Sequence, residues 1–195
     1  MTKKIAFIGS AGSGKSTLAT DVFTCLKKKG ENAELITEWI RYDIQANGPM
    51  QSIWEQYRTM HHQRELEDAV PDSVDWVITD SGCLTPYFYS CLYASKANER
   101  ERLVLADMFR FLIDDIYKRR YAYVFFLPGQ VTYDKGKSDI IEDGTRYQTV
   151  EELNILDNHM KLVFTQMFNV DNIINLTESL ETRAEKVVEI LMKKS

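Results

Sequence analysis

The chain has 195 residues, and its 29 acidic side chains outnumber its 24 Lys and Arg side chains, for a formal net charge of −5. The hydrophobic fraction of 44% and the charged fraction of 27% are typical of a globular protein and exclude a disordered or fibrous chain. Three scattered cysteines indicate no set of disulfides, and residues 1–195 are expected to form one domain. No apolar run approaches the roughly 18 residues of a membrane span, and no signal-peptide pattern is present, so a cytoplasmic protein is expected.

Short apolar runs recur along the chain and end in turn signals. The first run ends at Gly9, and it shows no alternation of polar and apolar side chains. This pattern is typical of strands that are covered on both faces in a parallel sheet. The predicted strands are residues 5–8, 33–36, 74–79, 121–127 and 171–176.

Amphipathic segments separate these runs. In the first, apolar residues recur at spacings of three and four, and Gly30 follows its lysine-rich end, as at many helix C-termini. Strands that alternate with helices predict an α/β fold with right-handed crossovers. Helices are predicted over residues 15–29 and 51–69, and two more within 84–117. A further helix is predicted from Val150, with an inward-facing apolar stripe of Leu153, Leu156, Met160, Val163 and Met167. The last predicted helix has an inward-facing apolar stripe of Leu180, Ala184, Val187 and Leu191.

The segment from Gly9 to Thr17 fits the pattern G-x-x-x-x-G-K-[ST] without a mismatch. Glycines permit backbone conformations that point successive N–H groups at a phosphate chain, and the following helix adds the positive end of its dipole. Lys15 is expected to reach the β- and γ-phosphates, and the Ser16 hydroxyl to ligate Mg²⁺. A glycine-rich turn that only begins a helix is the alternative. The predicted nucleotide-binding residues are Gly9, Gly12, Ser13, Gly14, Lys15, Ser16 and Thr17.

Two acidic residues follow predicted strands. Ligands of open α/β sheets lie at the carboxyl ends of the strands, where Asp80 and Glu38 are placed. Asp80 is expected to hold the Mg²⁺ shell, and Glu38 to accept the proton of an attacking hydroxyl or to anchor the acceptor beside Arg41. The alternatives are a turn that begins at Asp80 and a surface ion pair between Glu38 and Arg41.

Residues 130–148 form the one stretch that is too polar for the core and too long for a tight connection. We expect a lid here, with Arg146 neutralising the charge that develops during phosphoryl transfer. A solvated loop is the alternative, and it is the preferred interpretation of Lys135 and Lys137.

An aromatic segment covers residues 85–93, only five positions after Asp80. Aromatic faces stack well on bases and on nicotinamide rings. Tyr87 is therefore a candidate to contact the acceptor, although aromatic residues of helices more often belong to the core.

With the loop at 9–17, the acid at Asp80 and the Asp-Gly-Thr-Arg string at 143–146, the chain resembles P-loop kinases of the nucleoside- and nucleotide-kinase-like group. It is similar in particular to the ribosylnicotinamide-kinase domain of NAD-biosynthesis regulators, and to related small bacterial and phage P-loop ATPases. The resemblance implies a three-layer fold with helices on both faces of a five-stranded parallel sheet in the order 2-3-1-4-5. It also implies that ATP lies over the loop and the acceptor near Glu38 and Asp80.

The function predicted from the sequence is Mg²⁺-dependent transfer of the γ-phosphoryl group of ATP to a hydroxyl or phosphate of a small nucleoside- or nucleotide-like acceptor. GTP as the donor and the oligomeric state, a homodimer included, are left open. One alternative is a kinase for a hydroxymethylated base in phage DNA, which the negative charge disfavours. Others are a regulatory NTPase switch, although an Asn-Lys-x-Asp string is absent, and a binding module without chemistry. The candidate catalytic residues are Lys15, Asp80, Glu38 and Arg146, and the candidate acceptor contacts are Glu38, Arg41 and Tyr87.

Overall fold

The structure is a computed structural model that describes residues 2–50, 52–129, 148–168 and 170–193. Lys135, Lys137 and Arg146 of the predicted lid lie outside the described residues. No helix in the described ranges has the length and apolar character that crossing a membrane requires. In chain order the elements are β1 (Lys3–Ile8), α1 (Lys15–Lys28), β2 (Ala33–Ile36), α2 (Trp39–Asn47), α3 (Ile53–Asp68), β3 (Trp76–Asp80), α4 (Thr85–Cys91), a 3-10 turn (Ala94–Lys96), α5 (Glu99–Tyr117), β4 (Tyr123–Phe126), α6 (Val150–Leu162), a π-helical turn (Val163–Met167), β5 (Ile173–Asn175) and α7 (Arg183–Lys193).

The described strands form one parallel sheet in the order β2-β3-β1-β4-β5. The predicted fold class and strand order are thereby confirmed. At the carboxyl edge of the sheet, Phe7 lies opposite Asp80 on β3, and Ile8 lies opposite Phe126 on β4. Because β1 is the central strand, the loop that follows it lies in the middle of this edge.

Successive residues of β1 point to opposite faces of the sheet, as the period of a strand requires. Ile5 and Phe7 belong to a core with α1 and α7, whereas Ala6 and Ile8 belong to a second core with α3, α4, α5 and α6. All four side chains are fully buried. The sheet is thus covered on both faces, which explains why its sequence lacks polar alternation.

Three local features differ from the sequence expectation. Helix α2 was not predicted, and Asp43 is the only buried residue on it. Met167 is 51% exposed: it ends a π-helical turn, whose wider winding rotates it out of the inward-facing stripe. Leu180 is 44% exposed, because α7 begins only at Arg183.

Gly9 ends β1 at a point where no side chain fits. A Cβ atom there would lie 2.4 Å from the carbonyl oxygen of Leu127 and 2.8 Å from the hydroxyl oxygen of Ser13. The Leu127 N–H donates to the carbonyl oxygen of Ile8, so this backbone is fixed by strand pairing. The close approach of β1 and β4 therefore requires glycine.

We expect Gly9→Ala to lower the free energy of unfolding by about 3 kcal/mol or more, because the added methyl group meets backbone rather than a mobile side chain. Urea unfolding measures this change. Gly30→Ala is the matched control: its Cβ would meet nothing within 4 Å, so only the positive φ of 83° opposes it, at a cost of about 1 kcal/mol. Equal losses in the two variants would contradict the steric explanation.

Candidate nucleotide and acceptor site

The loop between β1 and α1 has the backbone that its glycines predict. Gly12 and Gly14 have φ angles of 83° and 89°, which residues with a Cβ atom adopt only with strain. Lys15 is buried, and its Nζ donates to the carbonyl oxygen of Ser10 at 2.8 Å, so its side chain spans the loop. Of the predicted nucleotide-binding residues, Gly12, Gly14, Lys15, Ser16 and Thr17 line a cavity, and Gly9 and Ser13 are buried behind it.

Helices that begin at the cavity differ from others in how their first amides are satisfied. At the start of α1 the N-cap is Gly14, and at the start of α2 it is Glu38; neither has a side-chain cap among the described residues. The first N–H groups of a helix carry partial positive charge and need acceptors from elsewhere. The start of α1 is therefore suited to an anion. By contrast, α3, α5 and α6 begin with complete capping boxes, formed by Ser52 with Glu55, Asn98 with Glu101 and Thr149 with Glu152.

A cavity of about 390 Å³ extends from the loop to helices α2, α3 and α4. This volume lies within the range of small-molecule sites. The loop, Leu180 and Arg183 line part of it, and Glu38 and Arg41 belong to a second wall. The phosphate-binding loop and this second wall thus line one cavity. The second wall also includes Ile44, Met50, Gln56, Thr59, Gln63 and Tyr89.

Two carboxylates approach each other beside Lys15. Asp80 ends β3 and is 5% exposed, and its Oδ1 has no hydrogen-bond partner among the described residues. Burial raises the pKa of Glu38, and the charge of Asp80 raises it further. The charge of Lys15, the nearby Ser81 side chain and the charge of Arg41 act in the opposite direction on the pKa of Glu38. Glu38 therefore holds a proton more readily than a solvated carboxylate.

The turn that follows β3 is strained. Ser81 has a φ of 69°, which costs a residue with a side chain on the order of 1 kcal/mol. Its N–H donates to the carbonyl oxygen of Phe7 at 3.1 Å, and the residue itself lines the cavity. Asp80 thus does begin a turn, the structural alternative considered for it, and its charge still raises the pKa of Glu38, which lines the cavity.

The residues present fit a bound Mg²⁺. This ion prefers oxygen ligands and is commonly held by one or two carboxylates together with substrate phosphates and water. Asp80 offers a buried carboxylate oxygen without a protein partner in the described chain, it directly precedes the cavity-lining Ser81, and Ser16 lines the cavity as well. No cluster of three or more His, Cys, Asp or Glu side chains occurs within the described ranges, so the donor set differs from that of an all-protein metal cage.

The loop is also held from two helices that sequence reasoning did not connect with it. Arg183 of α7 is 1% exposed, and it donates to the carbonyl oxygens of Ser13, at 3.1 Å, and of Glu178, at 2.8 Å. Burial lowers the pKa of Arg183. On the other side, Asp157 of α6 accepts from the N–H of Ser10 at 3.3 Å, and burial raises its pKa. Neither residue lies in a local pattern that could have revealed these contacts.

A buried polar stripe on α3 was missed as well. Gln56, Thr59 and Gln63 are each 3% exposed and line the cavity. Their spacing of three and four residues was a usable signal, but polar residues at helical spacing usually belong to a solvated face. Only the packing of α3 against the sheet reveals that this face is interior.

Of the predicted acceptor contacts, Glu38 and Arg41 line the cavity, whereas Tyr87 does not. The Tyr87 ring stacks on Phe109 with their centroids 5.3 Å apart, on the core side of α4. Tyr89, two positions further along the helix, faces the cavity instead, and its hydroxyl accepts from the N–H of Ala11 at 3.1 Å. The reason is that residues two positions apart on a helix point in nearly opposite directions. Arg146 lies outside the described residues.

A parallel sheet with β1 at its centre, followed by a glycine-rich loop and a helix, defines a P-loop fold of the kinase type. The chain belongs to the AAA domain family, because the model of that family matches residues 4–183. No curated protein is similar enough in sequence to count as a relative.

Two solved structures share the fold. NadR protein in complex with NR superposes with a TM-score of 0.71 at 15% identity, covering 98% of this chain and 51% of that chain. Deoxyadenosine kinase from M. mycoides with bound dCTP superposes with a TM-score of 0.61 at 17% identity, covering 97% and 99%. This chain thus spans about half the length of the NadR chain. The predicted likeness to nucleoside-kinase-like P-loop proteins is confirmed at the level of the fold.

We expect Glu38→Gln to stabilise the protein at neutral pH. The pKa of Glu38 is raised by folding, so the stability linked to its protonation is present at low pH and is lost as the pH rises through the folded-state pKa. The glutamine amide carries no charge at any pH. The free energy of unfolding of the variant, measured in urea, should therefore exceed that of wild type at about pH 7, and the difference should shrink as the pH falls to about 4. A variant that is less stable than wild type at neutral pH would contradict this description of Glu38.

Proposed function

We propose that this protein transfers the γ-phosphoryl group of ATP, with Mg²⁺, to a hydroxyl or phosphate of a small nucleoside- or nucleotide-like acceptor. The observation that carries the proposal is one cavity lined both by the phosphate-binding loop and by Glu38, whose pKa the charges of Lys15 and Asp80 affect. Phosphoryl transfer needs donor and acceptor in one enclosed space, because catalysis consists mainly of positioning and charge stabilisation.

The donor side uses the loop and Lys15. The uncapped first amides of α1 would bind phosphate oxygens, and Lys15 would exchange the Ser10 carbonyl for the β- and γ-phosphates. Ser16 and Asp80 would hold Mg²⁺, which when bound neutralises charge on the phosphate oxygens. Arg146 remains a prediction from the sequence for a further cation near the γ-phosphate.

The acceptor side uses Glu38. In the proposed reaction the acceptor oxygen forms a bond to the γ-phosphorus, while the bond between that phosphorus and the β-bridging oxygen breaks and ADP leaves. The proton of the acceptor hydroxyl moves to the Glu38 carboxylate. A raised pKa suits this role, because a general base works best when its pKa is near the working pH.

The second wall of the cavity favours an organic acceptor over water. It combines apolar side chains with Gln56, which is 3% exposed and whose Oε1 has no hydrogen-bond partner among the described residues. A regulatory NTPase that uses water as its acceptor has no need of such a wall. The names of the two similar structures, a deoxyadenosine kinase and NadR in complex with NR, support the nucleoside class.

The test is a screen for transfer of radiolabelled γ-phosphate to nucleosides, nucleotides, ribosylnicotinamide and DNA that contains hydroxymethylated bases. We expect label on a free nucleoside or nucleotide, and loss of transfer in Lys15→Ala, because nothing else in the described loop provides a side-chain cation. Label on DNA alone would favour the polymeric acceptor. Release only as inorganic phosphate, with every acceptor, would favour the NTPase switch and overturn the kinase proposal.

Once an acceptor is known, we expect Glu38→Gln to lower kcat by about 10²–10⁴-fold, the usual contribution of a general base, with little change in the KM for ATP. Steady-state kinetics measure both constants. Glu34→Gln is the matched control, because Glu34 is an exposed residue of β2 and should leave both constants unchanged. A near-normal kcat in Glu38→Gln would remove Glu38 from the role of base.

A further inference from the structure

Glu38 does not cap the helix that it begins. It occupies the N-cap position of α2, yet its side chain makes no capping hydrogen bond within the described chain. The N–H of Trp39, the first residue of α2, instead donates to Oε1 of Gln63 at 3.2 Å. A side chain from α3 thus satisfies the first amide of α2, and the Glu38 side chain, which makes no capping hydrogen bond in the described chain, lines the cavity.

The other end of the same amide reaches β3. Nε2 of Gln63 donates to the hydroxyl oxygen of Thr79 at 3.1 Å, and Thr79 directly precedes Asp80. Gln63 therefore connects the residue after Glu38 with the residue before Asp80. Gln63 and Thr79 are both buried, at 3% and 0% exposure, so water does not compete for these hydrogen bonds.

The orientation of the Gln63 amide is fixed by its surroundings. The Thr79 hydroxyl donates to Oε1 of Glu67 at 3.2 Å, so its oxygen is left to accept from the NH₂ group of Gln63. Glu67 is itself fully buried and accepts from Arg120 at 3.0 Å and from the Tyr121 hydroxyl at 2.9 Å. This chain of donors and acceptors aims the Gln63 carbonyl oxygen at Trp39.

We propose that Gln63 is a positioning residue that sets the separation of Glu38 and Asp80 by tying α2 to β3. The catalytic consequence rests on the proposed function, whereas the tie itself does not. Glutamine suits this place because it offers one acceptor and one donor without a charge. Methionine is of similar size but offers neither group, and glutamate offers only acceptors.

The tie is tested by backbone amide exchange of Trp39, measured by NMR on the whole chain. We expect Gln63→Met to raise the exchange rate of this amide at least about tenfold, because its acceptor is lost. Gln63→Glu keeps an acceptor oxygen and should keep the amide protected. Gln45→Met is the control, since it makes the same chemical change at an exposed position of α2. An unchanged Trp39 amide in a folded Gln63→Met protein would overturn the proposal.

The catalytic consequence is tested by kinetics with the acceptor found in the screen. We expect Gln63→Met to lower kcat at least about tenfold and to leave the KM for ATP within about twofold, because the hydrogen bonds of Gln63 in the described chain go to Trp39 and Thr79 rather than to the donor loop. Replacing a residue that serves only folding would lower the melting temperature without lowering kcat selectively over the KM for ATP. Equal changes in kcat and in the KM for ATP would therefore contradict a positioning role.

The two proposals can fail separately. If the wild-type chain transfers phosphate to no acceptor but the Trp39 amide responds to Gln63→Met, the proposed function fails and the tie stands. If transfer occurs and the amide does not respond, the tie fails and the proposed function stands.

Discussion

The constraint on which the site depends is that helices α1 and α2 begin at the cavity without side-chain caps in the described chain. A helix start carries several N–H groups without partners inside the helix, and a buried amide left unpaired is costly. At α1 no side-chain cap in the described chain accepts from these N–H groups, so the loop is suited to an anion. At α2 one of these groups, the N–H of Trp39, is satisfied by Gln63 from a neighbouring helix. At α3, α5 and α6, capping boxes satisfy the same groups locally.

The same site concentrates features that oppose stability. Two carboxylates share a poorly solvated space, a serine adopts a left-handed backbone conformation, and a lysine is buried against its own loop. Each of these is unfavourable by itself, and the two cores on either side of the sheet supply the compensating burial of apolar surface. In the proposed function, bound phosphates and a cation would supply the partners that these groups lack.

Short-range patterns were enough for most of the architecture. Buried parallel strands are continuous apolar runs, so β1, β3 and β4 were visible in the sequence, and the glycine pattern between Gly9 and Thr17 identified the loop. The pattern was less informative where a helix buries no apolar side chain fully, as in α2, and where the winding of a helix changes, as at Met167.

The sequence by itself determined the fold class, the order of most elements and the residues of the phosphate loop, since these depend on contacts between neighbours along the chain. Only the tertiary structure decided that Tyr89 rather than Tyr87 faces the cavity, that Arg183 and Asp157 hold the loop, and that Gln63 joins α2 to β3. The partners in these contacts are many residues apart in sequence, and polar side chains that are buried look the same in a sequence as those that are solvated. Their roles depend on which helix face meets the sheet, and the packing of the whole molecule determines that.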